Sequence, residues 1–210
     1  MPPVLVAGPT DDARRLAEAI DADTIWLPDS AATTDWAQAG GLEEWRETHG
    51  DGPRHHAVVV MAESADIEPL AAVELDGDAW IRRTEMPLAR WAVALAVATR
   101  RVADGGSIVV VVDQAASLDV TGWAPETAVA DAVEALVRSL AKSEGARGVR
   151  VNLVTSPRRL VSAPVSPPPP LSTFPGTLDD VISAVAAILA GDVAIVTGAV
   201  VHVDAGRAYR

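Results

Sequence analysis

Two hydrophobic patterns alternate along this chain. Short continuous apolar runs stand at residues 4–7 (VLVA), 24–27 (TIWL), 57–61 (AVVVM), 108–112 (IVVVV), 148–154 (GVRVNLV) and 194–203 (AIVTGAVVHV). Runs of this length without polar alternation are what a parallel sheet buries on both faces. Between them the apolar spacing turns helical. The clearest case starts at Pro125, where Val129, Val133, Leu136, Val137 and Leu140 form one stripe and Glu134 precedes Arg138 as a favourable i,i+4 pair. Pro125 suits a first helical position, and Gly145 is expected to end the helix in a left-handed conformation. Further helices are predicted over residues 11–20, with Asp11 and Asp12 at the positive end, and over 42–48, 80–103 and 178–189. Pro87 is expected to kink the 80–103 helix or to start its second part. Strand and helix units in this order predict an α/β fold: one doubly wound parallel sheet of about six strands with right-handed crossovers.

Composition narrows the function more than the fold. The chain has 210 residues, which suits one domain spanning 1–210. It has no cysteine, so disulfides, thiolate metal sites and cysteine nucleophiles are excluded. A net charge of −12 argues against nucleic acid and anionic membrane surfaces as partners. No apolar run approaches the ~20 residues of a membrane helix, and the first residues lack the pattern of a secretory signal, so a cytoplasmic location is expected. His55 and His56 read as a turn before a strand, His202 reads as structural, and no His/Asp/Glu spacing suggests a metal site. Residues 155–176 (TSPRRLVSAPVSPPPPLSTFPG) are proline-rich and predicted to form a loop, with residues 167–170 a weak docking motif.

Three segments carry a family resemblance. AVEALVRSLAKSEGARGVRVNLV resembles the central helix and following strand of the short-chain dehydrogenases/reductases. VTGAVVHVDAG is similar to that family's last strand and glycine turn, and DGGSIVVVV to the strand that ends at its catalytic serine. The resemblance implies a Rossmann-like fold in which residues 155–176 stand where the relatives have a substrate lid. It also implies that one β/α unit is reduced, since the family fits two strands between the first strand and residue 57, where one is evident here.

Against this resemblance the chemical motifs are missing. The family's Gly-x-x-x-Gly-x-Gly turn lets the backbone approach a pyrophosphate seated on a helix N-terminus. Here the turn reads AGPTDDARR: Gly8 matches the first glycine, but the later ones are replaced by bulkier and acidic residues. Asp29 lies near where a ribose-binding acid belongs, although an isolated acid there also reads as a turn residue. The Asn-Asn-Ala-Gly turn aligns with Val60 to Glu63, and the helix asparagine with Pro87. The catalytic Tyr-x-x-x-Lys aligns with Glu126 and Ala130, and the serine with Asp113. One count needs no alignment: Tyr209 is the single tyrosine and Lys142 the single lysine, so no Tyr-x-x-x-Lys exists anywhere.

The expectation is therefore a degenerate family member with no cofactor, acting as a non-catalytic subunit or scaffold. It would form a homo-oligomer (dimer or tetramer) or partner a catalytically intact paralogue. The helix around Trp91 and Ala92, and the small residues Ala128, Ala132, Ala135 and Ala141 of the central helix, are predicted to be the contact faces. Two alternatives remain open. In one, Asp113 and Glu126 share the old pocket as acid and base of a cofactor-independent lyase, isomerase or cyclase. The other is a divergent NAD(P)-dependent oxidoreductase.

Overall fold

The computed structural model describes residues 2–28, 39–62, 68–116, 121–161, 176–191 and 195–206. Six strands form one all-parallel sheet: β1 (Val4–Ala7), β2 (Asp23–Trp26), β3 (His55–Met61), β4 (Val102–Asp113), β5 (Arg150–Ser156) and β6 (Val200–His202). The spatial order is β2-β1-β3-β4-β5-β6. The order reverses between β1 and β3, the crevice where open α/β sheets place their ligands. As the resemblance implied, a single strand, β2, lies outside β1 among the described residues.

Residue alternation assigns the two layers. Val4, Val6, Val58, Val60, Ile108, Val110, Val151 and Leu153 point to one face. There they meet Trp45 of α2 (Ala39–Gly50), Trp91, Leu95 and Ala98 of α4 (Met86–Arg101) and the stripe of α5 (Ala124–Ser143). Leu5, Val59, Val109, Val111 and Val154 point the other way, onto α1 (Asp11–Ala19) and α6 (Leu178–Leu189). Burying each such valine or leucine is worth ~1.5–3 kcal/mol, so both faces of the sheet contribute to the fold. The predicted α5 stripe is correct: Val129, Val133 and Val137 are buried, and Leu136 and Leu140 pack against them.

The region around Pro87 is neither one kinked helix nor a simple restart. A one-turn helix, α3 (Gly77–Trp80), leads into a π-helical turn (Ile81–Glu85), and α4 follows. The N–H of Met86 reaches back five residues to the carbonyl of Ile81. A proline cannot donate and crowds the carbonyl four residues back, so the wider turn relieves the clash while Pro87 sits in the first turn of α4. This turn aims Arg82 and Arg83 at the C-terminal edge of the sheet.

Several local expectations are corrected. Gly145 does not end the helix. The chain tightens into a 3-10 turn (Glu144–Arg147), and Gly148 takes the left-handed conformation at φ 69°. His55 and His56 lie inside β3 rather than in a turn before it, and the His55 ring bonds through Nδ1 to the Pro2 carbonyl at 2.9 Å. Trp91 is 2 % exposed and belongs to the core, not to a free helix face, and Ala141 is likewise buried. Helix α4 ends at Arg101, and β4 begins at once with the buried Val102, well before residue 108.

Candidate functional site

Both predicted carboxylates line one cavity at the C-terminal edge of the sheet, with a volume of about 90 Å³. Asp113 is the last residue of β4. Glu126 lies in the first turn of α5, where an acid is favoured by the helix dipole. Apolar side chains floor the cavity, among them Trp91, Val112, Val129 and Leu160. Ala130, at the aligned lysine position, is 1 % exposed and packs into the core.

Neither carboxylate stands alone. Arg83, from the π-helical turn, grips Glu126 as a two-pronged fork: Nε to Oε1 at 2.6 Å and an Nη to Oε2 at 2.8 Å. Both side chains are nearly buried, at 13 % and 10 % exposure. The Arg83 guanidinium also lies 6.0 Å from the Trp123 ring centre, within cation–π range. Arg159, in the turn after β5, pairs with Asp113 at 3.2 Å. Each of the two predicted acids is thus matched by a guanidinium from a neighbouring segment.

The α1 end of the crevice is also occupied by paired side chains. The Thr10 hydroxyl caps α1 by accepting the N–H of Ala13 at 3.2 Å. The Asp12 carboxylate, in the first turn of α1, accepts from Arg158 at 2.7 Å, and both side chains are largely shielded. Asp11 instead turns to solvent and pairs with Arg14. A diphosphate needs free N–H groups and close backbone approach at this helix end. A capping hydroxyl, an anionic side chain and a cross-linking arginine do not fit it.

Sequence reading found the acids but missed the arginines that hold them. Their signal was present as two doublets, Arg82–Arg83 and Arg158–Arg159, each flanking the predicted pocket in an otherwise acidic chain. Asp29, Glu63, Tyr209 and most of the proline-rich stretch lie outside the described residues. Among the described residues no group of three or more His, Cys, Asp or Glu is placed to hold a metal ion. Nor is any helix there long and apolar enough to cross a membrane.

Comparison with known proteins agrees with this architecture. No protein-family model matches the sequence, and no curated protein does so. Solved structures match over nearly the whole chain. A short-chain dehydrogenase/reductase from Serratia marcescens is 19% identical, with a TM-score of 0.69 over 99% of this chain and 97% of that one. FabI from Alistipes finegoldii is 18% identical, with a TM-score of 0.74 over 99% and 90%. An enoyl-(acyl-carrier-protein) reductase from Anaplasma phagocytophilum, solved in complex with NAD, is 19% identical, with a TM-score of 0.68 over 98% and 93%. The chain has the short-chain dehydrogenase/reductase fold. At these identities the likeness is one of fold and leaves activity to the site itself.

Proposed function

We propose that this protein is a non-catalytic member of the short-chain dehydrogenase/reductase fold, a single domain over 1–210 that serves as a subunit or scaffold in an assembly. The observation that carries the reading is the set of three ion pairs, Arg83–Glu126, Arg159–Asp113 and Arg158–Asp12, at the aligned catalytic and diphosphate positions. A hydride-transfer site of this fold needs a phenol, an ammonium and an open phosphate turn. Here an ion-paired Glu126 stands at the phenol position, the buried Ala130 at the ammonium position and the Asp12–Arg158 pair at the phosphate turn, and none of these fits a nicotinamide cofactor.

In this reading the surface for assembly is the outer side of α4 and α5. With Trp91 and Ala141 inside, the remaining face consists of small residues: Ala92 and Ala135 exposed, Ala128 and Ala132 half-buried. Small side chains let two helices approach closely, which favours a helix-to-helix contact with a second copy or with an intact paralogue. Light scattering checks this. The wild type is expected to be a dimer or tetramer at tens of micromolar, and Ala92→Arg with Ala135→Arg to be a folded monomer. A monomeric wild type, or a doubly substituted protein that still assembles, refutes the contact.

One observation favours a second reading, cofactor-independent acid/base chemistry: Asp113 and Glu126 do line the same cavity. In that case Asp113→Asn and Glu126→Gln each abolish turnover in any assay that detects it. The fork of Arg83 on Glu126 weighs against it, because both carboxylate oxygens are already engaged.

A further inference from the structure

We infer that the cavity beside Asp113 and Glu126 binds a small organic anion: an apolar body of a few carbons carrying one carboxylate or phosphate. The inference rests on the reading that this cavity is not a nicotinamide site. Its lining divides into two kinds of wall. Trp91, Val112, Val129 and Leu160 offer an apolar surface. Arg82, Arg83, Arg90 and Arg159 bring four guanidinium groups, against the two carboxylates of Asp113 and Glu126. That preponderance of guanidinium groups among the described lining residues stands inside a chain whose net charge is −12. Such a concentration of one sign in a concave site draws in ligands of the opposite sign.

The arginines divide the work. Arg83 and Arg159 are committed to Glu126 and Asp113. Arg90, only 3 % exposed, brings its guanidinium to the same wall and is anchored by Nη1 on the Pro28 carbonyl at 2.9 Å. Arg82 borders the cavity from the π-helical turn and has no ion-pair or hydrogen-bond partner among the described residues. Its planar fork matches a carboxylate or phosphate, with which it forms paired charge-assisted hydrogen bonds. A volume of about 90 Å³ admits a short chain or small ring. The apolar wall then receives the remainder of the ligand.

Calorimetric titration of the whole protein with sodium butyrate, butyl phosphate, neutral butyramide and NADH tests the inference. One of the two anions is expected to bind about tenfold or more tightly than butyramide, the difference that charged hydrogen bonds supply. Whichever anion binds better identifies the headgroup. Arg82→Gln is expected to lower that preference about fivefold or more while leaving the melting temperature unchanged, since the side chain is exposed and unpaired among the described residues. Equal binding of butyrate, butyl phosphate and butyramide, silence of both anions at ~10 mM, or an Arg82→Gln protein that binds as the wild type overturns the inference. NADH binding in the low micromolar range overturns the functional reading beneath it. Silent anions together with silent NADH overturn this inference alone.

Discussion

Arg83→Met removes the cation that holds Glu126 while keeping an apolar side chain beside Trp123. A carboxylate at 10 % exposure is then left without its partner. Breaking a fully buried ion pair costs ~3–5 kcal/mol, and the opening of the cavity beside this one lowers the expectation to ~2–4 kcal/mol. In a domain of this size each kcal/mol moves the melting temperature by ~2–4 °C, so a loss of ~3 kcal/mol corresponds to ~6–12 °C. Urea unfolding followed by tryptophan fluorescence reads the change as a lower midpoint at constant m-value. Arg83→Met with Glu126→Leu is expected to recover most of the loss, because two apolar residues no longer bury a lone charge. A single variant within ~0.5 kcal/mol of the wild type, or a double variant no better than the single, refutes the view that this pair is shielded and structurally committed.

Two further predictions follow from local structure. Gly148→Ala places a β-carbon at φ 69° and is expected to cost ~1–2 kcal/mol, whereas Gly145→Ala is expected to be neutral or to stabilise by ~0.4–1 kcal/mol. The same urea titration checks both, and the reverse order refutes the revised helix end. At the start of α6, Thr177 and Asp180 form a capping box, and the Asp180 carboxyl is held below its usual value by the Thr177 N–H and then by the Thr177 hydroxyl. Its contribution is therefore present above the ordinary aspartate range and lost as pH falls through the folded-state value. Asp180→Ala is expected to cost ~0.3–1 kcal/mol near neutral pH and distinctly less in acid, measured by thermal melts across pH. A cost independent of pH refutes the capping-box account.

The layers of the fold were legible because the strands are continuous apolar runs and α5 and α6 carry strong helical stripes. Residues 178–189 were read to the residue, and the structure shows why the start is sharp: Thr177 caps it and Asp179 and Asp180 stand in its first turn. Shorter-range outcomes were not legible. Whether Trp91 faces outward or inward depends on how α4 is rolled against α2 and the sheet, and its large apolar area settles it inside. The choice between Gly145 and Gly148 depended on a 3-10 turn that costs little and leaves no composition signal. At the site, alignment located Asp113 and Glu126, but ion pairs between residues 43 and 46 positions apart in the chain are products of tertiary structure. The π-helical turn was equally hidden, since Pro87 alone is compatible with a kink, a restart or a wider turn.

The central claim, that this fold has exchanged its nicotinamide site for internal ion pairs, is tested most directly by calorimetric titration with NADH and NADPH at millimolar nucleotide. The account predicts no saturable heat for either, because the α1 turn presents the Thr10 cap and the Asp12–Arg158 pair where a diphosphate would need free N–H groups. A dissociation constant in the low micromolar range for either nucleotide contradicts it.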